Sequence, residues 1–488
     1  MLRLATRRSC QLLLPLALAA CAGFPHRQPP VKLATTAPLS LPADTAGTWP
    51  DPQWWRRYQD DTLDALIEQG LASSPTLATA HARFDSARES VRLAGAASGA
   101  QVGLVADAER QRLSDNGILS LFPTVEQPGF HWYNEFDLGL QARYTFDWWG
   151  KQRANVEAAM DQAHASQAER SAAAIVLASS IADAYFGWQA DQARLAVLAE
   201  REATIEHEHA VLAERVRAEL EPADGLDRLD ADAAAVREQR ANLEGSARLR
   251  VVALAALVGR APAELPVLAA KPLPSVPVGL PDDVRLDLIA RRADITASRW
   301  RVEAAERNLA SLRADFYPDI SINALADLNS LTSDKLLEYA SRAPSATVAL
   351  HLPIFDSGRI KAQYRGGEVA IEAAVSAYNA TLVEAARDVA TAAATRARIA
   401  AERGERAIQV DAALKLRAAA AARVRQGLAD LRTELTATDA WIQQRDALLE
   451  LDAEALSADI GLQRALGGGY EMPAHLANSS TTQQRSKP

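Results

Sequence analysis

Cysteine is nearly absent from this chain of 488 residues, which has only Cys10 and Cys21. That excludes a disulfide scaffold and a tetrahedral zinc site. Aromatics are scarce at 6%, while Ala, Arg, Asp and Glu abound, so much of the chain should be helical. Positive charge is not in excess. Lys plus Arg number 53 against 62 Asp plus Glu, a net charge of −9, which argues against nucleic acid as the main partner. No apolar run is long enough for a spanning helix. Residues 173–182 come nearest, and Ser179, Ser180 and Asp183 interrupt them. A closed β-barrel remains possible for an exported chain. Catalytic signatures are missing too: there is no Gly-x-Ser-x-Gly elbow, phosphate loop or dinucleotide fingerprint. His207-Glu208-His209 spaces its imidazoles i, i+2, which points them apart on a helix and favours surface charge. Asp224, Asp227, Asp230 and Asp232 lack the closing Glu of a calcium loop. No catalytic residue, metal ligand or cofactor is expected, and an enzyme is the last of the readings.

The N-terminus reads as an address. Arg3, Arg7 and Arg8 precede a short apolar stretch, and Leu18-Ala19-Ala20-Cys21 resembles a bacterial lipobox. Residues 1–20 would then be removed and Cys21 would carry lipid, palmitate included. The alternative is an ordinary signal with an incidental Cys21. Ala22 after the cysteine is compatible with export to the outer membrane. Residues 21–52, rich in Pro, Thr and Ala, read as an extended tether.

Proline is missing again from Gly129 to Glu221 and from Ile354 to Met472. Helices over 151–218 and 357–426 would each be roughly 100 Å long at 1.5 Å per residue, which means coiled coil, bundle or tube. Shorter helices are expected over 225–258 and 432–466. The order of elements occurs twice: helix, alternating segment, very long helix, tight turn, long helix. The first copy spans 53–260 and the second 282–466, with a Pro-rich linker at 261–281 and a disordered tail at 467–488. The strand-to-helix joints match. Asp147-Trp148-Trp149-Gly150-Lys151 parallels Pro353-Ile354-Phe355-Asp356-Ser357-Gly358-Arg359, and the Asp of each can cap the new helix. Gly366-Gly367 inside the second long helix marks a close helix approach or a bend, or has no structural meaning. Tyr185, Phe186, Trp188 and Tyr378 read as packing residues.

Four segments alternate at period two. In 132–146, Trp132, Phe136, Leu138, Leu140, Tyr144 and Phe146 share one parity, while Glu135, Asp137, Gln141, Arg143 and Thr145 share the other. Residues 319–329 and 345–352 repeat this, with Leu325 as the exception, and 101–112 do so more weakly. These lengths cross a bilayer. The alternative is two hairpins packed on soluble helices. Four strands cannot close a barrel, and an open edge in lipid leaves backbone groups unpaired. Copies must therefore pool strands. Two would give eight and three would give twelve; a passage favours twelve and a trimer.

These pieces together resemble the TolC-like outer-membrane efflux proteins, in their NodT-type or OprM-like lipoprotein branch. The resemblance is carried by Trp54-Trp55, Leu63-Asp64-Ala65-Leu66-Ile67, Asp147-Trp148-Trp149-Gly150, Leu257-Val258-Gly259, Leu288-Ile289-Ala290-Arg291-Arg292-Ala293-Asp294-Ile295, Ala314-Asp315-Phe316-Tyr317-Pro318, the Pro353–Arg359 joint and Arg425-Gln426-Gly427-Leu428. It implies a mainly α chain with four transmembrane strands, two repeats, and a homotrimer with a twelve-stranded barrel and a periplasmic α-helical tunnel. It also implies docking to a periplasmic adaptor (membrane-fusion) protein and to an inner-membrane transporter of the resistance-nodulation-division or major-facilitator type.

The resemblance assigns roles to two turns as an adaptor-docking tip. One lies near Glu221, Pro222, Asp224 and Gly225, the other around Arg425, Gly427 and Leu428. Where the family usually has Gly-Leu, the first turn has Leu220-Glu221-Pro222. Relatives close the tunnel with acids just past the second turn. The matching positions here are Thr433 and Thr436, so Asp430, Glu434 and Asp439 are the candidate gate acids. The implied function is a passive outer-membrane exit duct for drugs or other small toxic compounds, opened when an adaptor docks. A type I secretion duct for polypeptides and a soluble periplasmic coiled-coil adaptor are the alternatives.

Overall fold

The computed structural model describes residues 31–36, 48–112, 132–276 and 284–472. The expected signal 1–20, Cys21, most of the tether and the tail from residue 473 lie outside them. In chain order the helices are α1 (Asp61–Ser73), α2 (Pro75–Ala97), α3 (Lys151–Arg217), α4 (Asp224–Leu257), α5 (Val284–Arg291), α6 (Ala293–Ala314), α7 (Arg359–Arg425) and α8 (Leu431–Ala465). The strands are β1 (Gln101–Arg112), β2 (Trp132–Phe146), β3 (Asp319–Ser330) and β4 (Ser345–His351). The proline-free stretches thus contain α3 and α7, each an unbroken helix of 67 residues.

The chain forms two compact units. The first takes in Asp85–His164 and Trp300–Ser376, the second Leu33–Phe84, Ala165–Arg299 and the chain from Ala377 onward. The first unit holds the sheet and the adjoining helix ends. There α6 and α7 approach closely at Gly367, where a Cβ would come within 2.8 Å of Leu312 and 2.9 Å of Leu309. This settles that glycine as a contact position.

The second unit has a core of Trp54, Trp55 and Tyr58 with Leu63, Leu66 and Ile67 of α1, Ile181, Tyr185 and Phe186 of α3, and Leu254, Leu456 and Ile460. Residues one turn apart on α1 and α3 supply their stripes. Helix α1 starts where Asp60 accepts hydrogen bonds from the Thr62 and Leu63 amides at 2.9 and 3.4 Å. Burial works against ionisation of Asp60, but bonds from Lys271, Tyr185 and those amides outweigh it and hold its carboxyl below the usual range.

One expectation gains detail and one changes. Proline marks 261–281 as a linker, yet its described part is fastened down. Leu265, Leu268, Leu273 and Val276 pack on the core, Lys271 Nζ meets Asp60 at 2.7 Å, and Gln189 brackets the Ala269 carbonyl and the Lys271 amide at 3.0 and 2.8 Å. The expected disorder from residue 467 is wrong for 467–472. Gly467, Gly468 and Gly469 all hold positive φ, and a Cβ on Gly467 or Gly469 would collide with the Arg291 or Asp51 carbonyl. Tyr470 beyond them is buried. The glycines let the chain turn tightly against the body.

Candidate functional site

In the first unit the sheet order is β1-β2-β3-β4, with every neighbouring pair antiparallel. The central pair β2·β3 joins one strand from each half of the chain. Register turns the period-two pattern into two faces. Leu104–Leu140–Ala326, Ala106–Leu138–Leu328, Tyr144–Ile322–Val348 and Phe146–Ile320–Leu350 form rungs of one face. Asp107–Asp137–Asn329 and Gln101–Arg143–Asn323–Thr347 form rungs of the other. Leu325 falls on the polar face, between Gln141 and Ser345. Asn329 ties that face together, donating to Glu135 at 2.8 Å and Asp137 at 2.7 Å. On the apolar face Leu104 is 70% exposed and Val348 71%. Such a surface requires an apolar solvent or a partner. The outer strands β1 and β4 each leave one side of the ladder open.

The joints below the sheet are built as caps. Asp147 accepts from the Gln152 and Arg153 amides at 2.9 and 2.8 Å, and Gly150 takes φ 74° before α3. Asp356 accepts from the Gly358 and Ile360 amides at 3.0 and 2.8 Å, and Gly358 takes φ 85° before α7. The Ile360 amide leads in holding the Asp356 carboxyl below its ordinary range. Trp149 stacks on Tyr317 at 4.5 Å and donates its indole N–H to the Pro318 carbonyl at 2.9 Å. Pro353 follows β4, where its missing N–H costs no ladder bond.

In the second unit α3 meets two helices through two different seams. Toward α4 it presents Leu198, Ile205 and Leu212, clustered with Leu243, Val236 and Leu229. Toward α8 it presents Arg194, Arg201 and Glu208, against Asp446, Asp439 and Arg432 at 2.9, 2.7 and 3.7 Å. Both seams step by seven residues in opposite directions, the signature of antiparallel coiled coil. Glu208 is buried, and that burial pushes its carboxyl up against the opposing pull of Arg432. The expectation of a surface charge therefore fails at Glu208. Its neighbour His209 does lie near the surface, 3.4 Å from Asp230. Among the described residues no cluster could hold a metal ion.

The two turns prove equivalent at a different alignment from the one the sequence suggested. After α7, the Gly427 N–H bonds to the Val424 carbonyl and the Leu428 N–H to the Arg423 carbonyl, with Gly427 at φ 69°. After α3, the Glu219 N–H bonds to Val216 and the Leu220 N–H to Arg215, with Glu219 at φ 57°. Glu219-Leu220 is thus the counterpart of Gly427-Leu428, one residue earlier than Leu220-Glu221-Pro222. The repeated Arg-Val-Arg, 215–217 and 423–425, was the available signal. Asp224 and Gly225 open α4 and lie past the turn itself. Leu220 and Leu428 are 68% and 72% exposed. Glu221 links the turns, taking Arg215 at 2.9 Å and Arg432 at 2.6 Å.

The gate candidates separate. Asp430 caps α8, accepting from the Thr433 hydroxyl at 2.9 Å and its amide at 3.1 Å, which lowers its pKa. Asp430, Thr433 and Thr436 share a groove of about 540 Å³ with Arg432 and Ala413. Glu434 sits in the first turn of α8. Asp439 faces α3 and is held by Arg201. The sequence reading missed Arg194, Arg201, Glu208, Arg432 and Asp446, although their seven-residue spacing was there to be seen.

A mainly helical chain with a small antiparallel sheet, apolar on one face, has the fold of the outer-membrane channels. The chain belongs to the outer membrane efflux protein family, whose model matches residues 66–260 and 285–468. It is 32% identical over 469 residues to the multidrug resistance outer membrane protein MdtQ of Escherichia coli O6:H1, covering 93% of this chain and 96% of that one. It is 33% identical over 457 residues to the multidrug resistance outer membrane protein MdtP of Escherichia coli K12, covering 92% of each. The crystal structure of the outer membrane protein VceC from Vibrio cholerae matches with a TM-score of 0.77 and 32% identity, over 87% of this chain and all 100% of that one.

Proposed function

We propose that three copies of this chain pool their sheets into a twelve-stranded outer-membrane barrel, and that the long helices line a periplasmic passage. The duct lets drugs or other small toxic compounds leave when an energised inner-membrane transporter and a periplasmic adaptor are coupled to it. The observation that carries this is a four-stranded sheet with an exposed apolar face and two open edges, which cannot stand alone in lipid. The twofold repeat, lipidation of Cys21 and the tether from it belong to the same proposal. So does adaptor docking on Leu220, Glu221, Pro222, Asp224, Gly225, Arg425, Gly427 and Leu428. The two exposed leucines support that choice.

Opening would proceed at the α3·α8 seam, whose ion pairs can be exchanged for water when the turns part. Asp430 and Glu434 would supply a cation-attracting ring at the closed end; Asp439 is engaged by Arg201. The test has three arms. The full-length protein extracted in mild detergent should be trimeric. It should form channels in planar bilayers, and Asp430→Asn with Glu434→Gln should lower their cation selectivity. A deletion strain should become sensitive to part of an antibiotic panel. A detergent-soluble monomer with no channel activity overturns the proposal.

A further inference from the structure

At the end of the sheet away from the helix joints, charge is sorted by face. The face that carries Leu104 and Leu140 continues, two residues at a step, to Arg110 opposite Asn134 and Arg112 opposite Trp132. Arg342 joins the same face as the bridge partner of Leu328. Every acid of the four strands, Asp107, Glu109, Glu135, Asp137, Asp319 and Asp327, has the opposite parity and faces the other way. The β3–β4 connection adds Asp334, Lys335 and Glu338, of both signs. Two of the arginines are seated on aromatic rings. Arg110 lies 5.7 Å from the Trp132 centroid and Arg342 lies 4.2 Å from that of Tyr339. Both rings are exposed, Trp132 at 56% and Tyr339 at 79%. A rim that merely met water would have no reason to separate the signs. The depth also fits. Phe136 to Phe146 covers about 34 Å of strand at about 3.4 Å per residue, or about 26 Å of depth at a tilt of about 40°, and an outer-membrane barrel presents an apolar band about 25 Å tall. Arg110 and Arg112, opposite Asn134 and Trp132, begin just past that band.

We propose that this basic rim docks anionic, phosphate-bearing lipid headgroups of the outer leaflet, and that the apolar rungs below it take their acyl chains. This rests on the proposal that the sheet inserts in the outer membrane with its helix joints toward the periplasm. A guanidinium meets a phosphate through two parallel N–H bonds, a geometry an ammonium lacks. Trp132 and Tyr339 brace two of the guanidinium groups at the level where amphipathic rings settle between acyl chains and headgroups. The strand acids are kept to the opposite face, so none of them repels the phosphates.

The test titrates the full-length protein in mild detergent with fluorescent diphosphoryl lipid A, and with phosphatidylethanolamine as the lipid without net charge. Wild type should bind lipid A about tenfold more tightly than phosphatidylethanolamine at low salt, and the preference should shrink at high salt. Changing Arg110, Arg112 and Arg342 together to Gln should remove about tenfold of the lipid A affinity and leave phosphatidylethanolamine binding unchanged. Arg143→Gln, which removes a cation from the opposite face, should change neither. A wild type without the preference, or with one that salt does not weaken, overturns the rim whatever the variants do. So does a triple variant that binds lipid A as wild type does, or an Arg143→Gln that loses as much. Displacement of lipid A by inorganic phosphate would make this a free-anion site and overturn the lipid assignment. Wild type that forms channels in planar bilayers yet ignores lipid A overturns only this inference. Wild type that forms none overturns the membrane reading beneath it.

Discussion

Helix α3 carries two seams with the same seven-residue step and opposite chemistry. Against α4 it sets Leu198, Ile205 and Leu212; against α8 it sets Arg194, Arg201 and Glu208. Burying a Leu, Ile or Val side chain contributes about 1.5–3 kcal/mol each, and separation returns that surface to water at full cost. A partly buried ion pair contributes less, because both ions regain hydration when they part. One periodicity therefore specifies alignment in both places, while side-chain chemistry makes the apolar pair the costlier one to separate. The α3·α4 hairpin lies within one half of the chain; the α3·α8 contact joins the halves.

The largest effect should come from making the apolar seam polar. Val236 is 0% exposed, so Val236→Asp places an unpaired carboxylate beside Ile205 and Leu229. A loss of about 3–5 kcal/mol is expected, read as a lower denaturant midpoint for the detergent-solubilised protein. A change below about 1 kcal/mol would mean that this seam is not a packed interface.

The ion-paired seam should lose about 2 kcal/mol when Asp446→Ala leaves Arg194 with Glu450 at 3.6 Å and takes the acceptor from Gln239. Replacing both partners, Arg194→Leu with Asp446→Leu, should recover most of that stability and shorten channel open times in bilayers. A double variant as unstable as the single one, or one that opens normally, would remove the distinction between the seams.

Much of this architecture was legible because it is periodic. Alternation in 132–146 and 319–329 marks half-exposed strands, and the absence of proline permits α3 and α7. What escaped depended on long-range packing. Nothing local says that β2 pairs with β3, since that pairing is made only when the second half of the chain returns. Prolines at 272 and 274 mark a linker, but they do not tell that Lys271 and the leucines around it fasten the segment down. The first turn was misaligned because Glu219 holds a left-handed conformation that sequence rules reserve for glycine. Among the gate candidates, Asp439 looked available in sequence, but its partner Arg201 lies far off along the chain.

A third contact of α3 is charged and gathers acids around Arg307 and His164. Arg307 of α6 serves Glu157 at 3.0 Å and Asp161 at 3.9 Å. Burial, then Glu303, pushes Asp161 up to about 7, with Arg307 pulling the other way and Glu157 adding to the rise. A pKa raised on folding gives stability that is complete below the unfolded value and is lost as pH rises through the folded one. Wild type should therefore weaken by about 1–2 kcal/mol, discounted for solvent screening, between pH 4 and pH 8. Asp161→Asn should flatten that profile, measured by melting across the range. An unchanged slope would assign the pH dependence to other groups.

The smallest effects should distinguish the two turns. Gly427 and Glu219 occupy the same left-handed position, at φ 69° and 57°. A non-glycine residue there costs about 1 kcal/mol. Gly427→Ala should thus destabilise the protein by about 1 kcal/mol, and Glu219→Gly should stabilise it by a similar or smaller amount, since glycine also gains unfolded-state entropy. The Glu219 side chain reaches none of the ion pairs at Glu221, which are made to Arg215 and Arg432, so its removal tests backbone strain alone. If Glu219→Gly instead weakens the protein while Gly427→Ala behaves as expected, the two turns are not conformational equivalents. The Arg-Val-Arg alignment would then have to be abandoned.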